Sequence, residues 1–238
     1  MTAPPTRRPG MPGDGDSVPN ARLADRHRLV GRVAGDIGHE LKNPIHASVI
    51  NLELVRKRIA DGEREDALAR LDIVSEQVRR VHGVVEGLLK LLRDGPDPEG
   101  ARELDGMVEV VLPILLAQAN SAGVEVEWVP AGPNTLCRAS TGHLAHTLVG
   151  LVALAVAVAR GPGNGAVRLE GAPSPCRVRV SAVAGDGARA DDAPSPDAGL
   201  FDLVTRIAES GGFAIRKDAD ADGVSWSFAV ILEEGSGA

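Results

Sequence analysis

The sequence has no tyrosine and only three phenylalanines and two tryptophans among 238 residues, so any core it builds is aliphatic. Positive charge is short too: 26 basic against 33 acidic residues leave a formal net charge of −7. A nucleic-acid groove needs a basic surface and, for single strands, aromatic stacking platforms; no nucleic-acid partner is expected. Cysteine is limited to Cys137 and Cys176, too few for a disulfide framework and not in metal-ligand spacing. The pair reads as two core thiols in a reducing cytoplasm. Long apolar runs are missing as well. The longest, residues 146–159, falls short of the ~20 residues that span a bilayer. The first twenty residues mix Pro, Gly, Asp and Arg without the apolar stretch of a signal peptide. The sequence therefore predicts no membrane anchor and a disordered leader over residues 1–20.

What is present is an ordinary globular balance, 43% apolar and 25% charged, over a length that suits two compact modules. Residues 21–60 carry Val30, Val33, Ile37, Leu41, Ile45, Leu52, Val55 and Ile59 at helical spacing, and Asp61-Gly62 closes that helix. Residues 65–93 repeat the pattern. There Leu71, Val74, Val78, Val81, Val85, Leu88 and Leu92 alternate by three and four, a heptad seam. Two long helices on a short polar turn make an antiparallel hairpin. Ile73, Val84 and Leu89 widen its apolar face beyond what one helix covers, so the spacing predicts a homodimeric four-helix bundle. The breaker run Asp94-Gly-Pro-Asp-Pro-Glu-Gly100 marks the boundary between a hairpin domain, 21–94, and a second domain, 101–234.

The second domain reads as helix 102–121, strands 124–129 and 135–139, helix 141–160, strands 166–170 and 177–183, helix 198–210, and a hairpin of strands 213–217 and 224–232. That order predicts a two-layer α/β sandwich with a mainly antiparallel sheet. The fold class is thus a helical hairpin followed by an α/β layer.

Chemistry concentrates in Gly38-His39-Glu40-Leu41-Lys42-Asn43-Pro44 of the first helix. His39 lies on the side of the helix opposite Ile37 and Leu41, so its ring faces outward. Asn43, four residues on, shares that face, and Glu40 projects beside it. An imidazole, ordinarily of pKa about 6.5, is largely neutral at pH 7 and can attack a phosphoryl donor in line. A neighbouring carboxylate can take its proton. An amide can hold a water for the reverse hydrolysis. A zinc-protease helix would need His-Glu-x-x-His, whereas Asn43 fills the second position and His46 falls seven residues on; no metal is expected. A plain solvated helix face is the competing reading of the residues alone.

The motif resembles the H box of sensor histidine kinases, and the hairpin around it is similar to their dimerisation and phosphoacceptor domain. The resemblance implies His39 as the phosphorylated residue, Glu40 as acid/base and Asn43 as the residue supporting phosphatase action. It also implies response-regulator receiver domains as partners, docking along the helices below His39. The element order after residue 100 is similar to the ATP-binding domain of that family, but its nucleotide motifs are eroded. Leu154 stands where an asparagine would hold magnesium and phosphates. Val183-Ala184-Gly185-Asp186-Gly187 lacks the aspartate that reads adenine at its aligned position. Asp197-Ala198-Gly199-Leu200 puts a carboxylate where phosphates would lie, and residues 188–196 are short for an ATP lid. Like charges repel there.

The resemblance therefore implies a phosphorelay protein that accepts a phosphoryl group on His39 from one receiver aspartate and passes it to another. Magnesium would sit in the partner's receiver domain, and no cofactor of its own is expected. Two alternatives stand beside it: an ATP-dependent histidine kinase with a divergent nucleotide site, and a non-catalytic dimeric adaptor. Trp128, Trp226, Phe213 and Phe228 read as core residues, His27, His82, His143 and His146 as surface or core histidines, and the Asp191-Asp192 and 218–222 stretches as solvated loops.

Overall fold

Two long helices, α1 (Ser17–Ala60) and α2 (Arg64–Leu92), open the chain in a computed structural model that describes residues 17–93, 100–160, 165–183, 195–219 and 225–234. Gly62 turns the chain at φ 79°, a conformation that costs glycine little. The Glu63 N–H donates back to the Arg58 carbonyl at 2.8 Å, satisfying an end of α1 that would otherwise be orphaned. The helices then run antiparallel. Glu40, Pro44, Ser48 and Val55 of α1 and Ala67, Val84 and Leu91 of α2 are buried, while Val74, Val81 and Leu88 are half-buried.

The seam drawn from sequence on α2 divides between two directions. Its other members, Leu71, Val78, Val85 and Leu92, form one heptad row that stays 39%, 56%, 38% and 55% exposed. Ile45, Leu52 and Ile59 do the same on α1. The apolar face is wider than the hairpin covers by itself.

The second part begins with a two-residue strand, β1 (Arg102–Glu103), where sequence predicts helix. It continues through α3 (Leu104–Ser121), β2 (Glu125–Val129), β3 (Leu136–Arg138), α4 (Thr141–Ala159), β4 (Ala166–Pro173), β5 (Cys176–Val183), α5 (Ala198–Ser210), β6 (Ala214–Ala219), β7 (Ser225–Ile231) and β8 (Glu233–Glu234). The main sheet has the order β2-β4-β5-β7-β6, with β2 and β4 parallel and the other neighbours antiparallel. β1 and β8 flank β3 in a small second sheet. Both are too short for any periodicity to register. Of the sequence-drawn boundary only Gly100 is described; residues 94–99 and most of the leader lie outside the described residues.

β5 and the first half of β4 alternate, with Val167, Leu169, Val178, Val180 and Ala182 buried and their neighbours more exposed, the pattern of a sheet covered on one side. The covering layer is α3, α4 and α5. By length and composition α4 could cross a membrane, yet from Leu144 to Ala159 only Ala153 and Ala157 escape burial, so here it is the core helix. Cys137 and Cys176 are both buried. The hydrogen bond that the Cys137 S–H donates to Cys176, and then burial, push the Cys137 thiol up, keeping it neutral and unreactive. The N-terminal half of α1 joins this core through Leu29, Val33 and Ile37, each no more than 2% exposed.

α4 and α5 cross at Gly150, where an added Cβ would lie 2.2 Å from Val204 Cγ2. Gly150→Ala therefore overpacks the crossing and lowers stability by about 1–3 kcal/mol. Urea unfolding reads this as a lower midpoint at unchanged slope, with part of the loss recovered in Gly150→Ala/Val204→Ala.

Candidate functional site

His39 and Asn43 are exposed on α1, one turn apart, while Glu40 is buried beneath them with a side chain 8% exposed. Asn43 Nδ2 lies 3.3 Å from His39 Nδ1 and 3.5 Å from Glu40 Oε1. The three residues named from the motif are thus brought together, with the amide in the middle. Glu40 is not turned to the imidazole. Its other oxygen, Oε2, accepts from Arg80 Nη2 of α2 at 2.6 Å, the pairing that a buried carboxylate requires.

Arg80 is the member that sequence reasoning missed. Hairpin register was the available signal. Glu40 and Arg80 are centred on Ala60, and a second cross-pair, Arg70 Nη1 to Asn51 Oδ1 at 3.2 Å, is centred on the bond that follows Ala60. Residues 29–56 of α1 can be matched to neighbours on α2 by reflection through that turn. Below the site Pro44 is buried and its carbonyl accepts from Ser48 Oγ at 2.8 Å. Pro44 has no N–H, so the Glu40 carbonyl lacks its helical partner.

The other singled-out residues take structural places. Phe213 and Phe228 are buried, and Trp128 and Trp226 pack half-buried against the core. His27, His46 and His82 are exposed. His146 is buried with Nδ1 2.7 Å from the Gly142 carbonyl, and His143 stands at the α4 N-terminus against Ser140 Oγ and Arg26. Among the described residues no cluster of His, Cys, Asp and Glu could hold a metal.

On the side where the kinase resemblance implies a nucleotide, the described residues do not fit one. Leu154 is fully buried, and the C-terminal half of α4 carries no acid or amide. Asp197 Oδ1 caps α5 by accepting from Leu200 N–H at 2.9 Å, and Oδ2 takes Arg32 Nη2 of α1 at 2.7 Å. The helix N-terminus that would receive an anion holds one of the chain's own. Residues 184–194, including Gly185, Asp186 and Gly187, lie outside the described residues. The same docking carries a second ion pair, Asp25 of α1 with Arg206 of α5 at 2.9 Å.

No family model matches the chain. A curated relative, sporulation kinase D of Bacillus subtilis (strain 168), is 27% identical over 104 residues, 44% of this chain but only 20% of that kinase. Among solved structures, a bacterial phosphotransferase aligns over 85% of this chain and 95% of its own, at TM-score 0.45 and 18% identity. The likeness is to histidine kinases. Among them are a kinase from Burkholderia phymatum STM815, covering 88% of this chain and 98% of its own at TM-score 0.44 and 17% identity, and the cytoplasmic segment of QseC, covering 66% and 95% at TM-score 0.44 and 16% identity. The chain spans a fifth of the length of the curated kinase it matches.

Both docking carboxylates have lowered pKa values, Asp25 through its hydrogen bond with Arg206 and Asp197 through the Leu200 N–H and then Arg32. A depressed folded pKa gives stability that is present above the ordinary value of 3.8 and lost as pH falls through the folded value. Amide exchange in α1 residues 21–37 should therefore accelerate as pH drops below 3.8, beyond the intrinsic pH effect. Asp25→Asn/Asp197→Asn should exchange faster at neutral pH and lose that dependence.

Proposed function

We propose that the chain is a two-component phosphorelay protein that carries a phosphoryl group on His39 and exchanges it with aspartates of response-regulator receiver domains. The observation that carries this reading is the outward imidazole held by Asn43 on one helix, with a buried, paired carboxylate one residue from it. A phosphoaspartate of a docked receiver presents its phosphorus to a ring nitrogen of His39. The N–P bond forms as the P–O bond to the aspartate breaks, and the carboxylate leaves with the electron pair. Magnesium in the receiver domain neutralises the phosphoryl oxygens; this chain supplies the nucleophile and the groups that hold its ring. Asn43 also faces solvent, where its amide can orient a water for hydrolysis.

No step is assigned to ATP. Leu154, the Gly150–Val204 crossing and the Asp197–Arg32 pair support a module that lost nucleotide binding and became a support for α1. The exposed heptad rows on α1 and α2 support a homodimer. Ile45, Leu52, Ile59, Leu71, Val78, Val85 and Leu92 are each about half exposed. At ~1 kcal/mol for the rest of each side chain, two copies gain on the order of 14 kcal/mol, comparable with an association cost of about 4–15 kcal/mol. A cytoplasmic setting suits the neutral buried thiols.

Incubating the protein with a labelled phospho-receiver should give an acid-labile, alkali-stable label on wild type and none on His39→Gln. With magnesium and γ-labelled ATP alone, neither protein should be labelled; His39-dependent label there would make the chain a kinase, and no label in either assay would leave an adaptor. Light scattering should find wild type dimeric and Leu71→Glu/Val78→Glu monomeric at micromolar concentration. A monomeric wild type would remove the four-helix bundle.

A further inference from the structure

We propose that Arg80 is a positioning residue that gates the reaction by drawing the Glu40 carboxylate away from His39, leaving the ring at rest in the tautomer that cannot attack through Nε2. This rests on the reading of His39 as a phosphoryl acceptor. An amide nitrogen donates two hydrogens and offers no lone pair. Asn43 Nδ2 therefore serves His39 Nδ1 and Glu40 Oε1 together only when Nδ1 is the acceptor of the ring, and then Nε2 carries the proton. Imidazole geometry puts Nε2 on the far edge of the ring from the Asn43 contact. For that nitrogen to use its lone pair, the proton must sit on Nδ1 and have an acceptor to go to.

Glu40 is the buried carboxylate beside this amide, and it is held by the Arg80 guanidinium at 2.6 Å from the other helix of the hairpin. Asp36 and Lys42 also lie three residues from His39 on α1, both exposed, but neither has a contact with the ring among the described residues. Arg80 keeps 44% of its side chain exposed, so it stays open to a competing anion, and a phosphoryl donor arriving at His39 carries one. Release of Arg80 lets Glu40 turn outward and accept from Nδ1–H. The Nε2 lone pair then forms the N–P bond while the bond from phosphorus to the leaving group breaks, and the Nδ1 proton passes to Glu40. The base becomes available with the substrate.

The tautomer can be read without any transfer. In ¹⁵N-labelled protein, above the pH at which the imidazole is neutral, two-bond proton–nitrogen spectra should show His39 protonated on Nε2 in wild type and Arg80→Lys, and on Nδ1 in Arg80→Ala. Phosphoramidate, a small donor that loses ammonia as its P–N bond breaks, should label His39 roughly tenfold faster in Arg80→Ala than in wild type, the gain from freeing a minor competent state. Glu40→Gln should slow labelling roughly a hundredfold, and adding Arg80→Ala to it should give no gain. Nδ1–H in wild type, or a folded Arg80→Ala with unchanged tautomer and rate, would overturn the gate; the wild-type spectrum decides even where Arg80→Ala does not fold. A tautomer that switches as stated, with no label on His39 from phosphoramidate or a phospho-receiver, would instead overturn the phosphoryl-acceptor reading and leave only the control of the tautomer by Arg80 standing.

Discussion

Burial of Leu29, Val33 and Ile37 of α1 in the core formed by α3, α4 and α5 is the contact on which the arrangement of this chain depends. One helix serves two partners along its length. Above residue 37 its apolar stripe belongs to the α/β layer; below it, Glu40, Pro44, Ser48 and Val55 turn to α2. His39 sits at the hand-over, a step of about 200° from Ile37 at ~100° per residue, so the same packing that anchors α1 aims the imidazole outward. Arg32–Asp197 and Asp25–Arg206 tie the rim of that contact. Surface ion pairs of this kind add little energy, and the buried aliphatic side chains dominate; the pairs choose which face of α5 meets α1.

A carboxylate next to an outward histidine must, by helix geometry, point part-way inward. In a hairpin this aliphatic that would strand a charge, and Arg80 is what makes Glu40 tolerable where it is. The polar character of the site and its place on the bundle are therefore not separate designs. Gly83 and Gly87 of α2, packed on Pro113 and Ile114 of α3, bring α2 close to the α/β layer from the other side. The turn of α2 that carries Arg80 precedes that close approach.

Long elements with strong periodicity were legible in the sequence. The helix read over 198–210 is α5, and α1, α2 and α4 end within a few residues of their expected limits, because capping residues and apolar spacing are local properties. The motif Gly38 to Pro44 was legible for the same reason: His39, Glu40 and Asn43 are neighbours on one helix. What was not legible was whatever needs a partner far along the chain. Arg80 touches Glu40 across forty residues and Arg32 touches Asp197 across 165, and nothing in either local stretch announces it. The direction of the seam on α2 falls in the same class. A heptad row shows that a helix has an apolar face, but which row faces its own hairpin partner depends on the turn.

The proposal that this module does not act on nucleotide rests on the way α4 is packed. A helix that holds phosphates and magnesium must keep acids or amides on a face that water and ligand can reach. From Leu144 to Ala159 this helix is covered by the sheet, by α3 and by α5, and leaves only Ala153 and Ala157 in part to solvent. An asparagine at position 154 would have to satisfy its amide among fully buried aliphatic neighbours, at a cost of roughly 1–3 kcal/mol or more, and Gly150 brings α5 closely against the same helix. The apolar residues that fill this face make it a core, and α1 docks on that core through Leu29, Val33 and Ile37. On the proposed reading, that core serves as a platform for α1 and not as a binding cleft, which is the property a carrier of phosphoryl groups between other proteins needs.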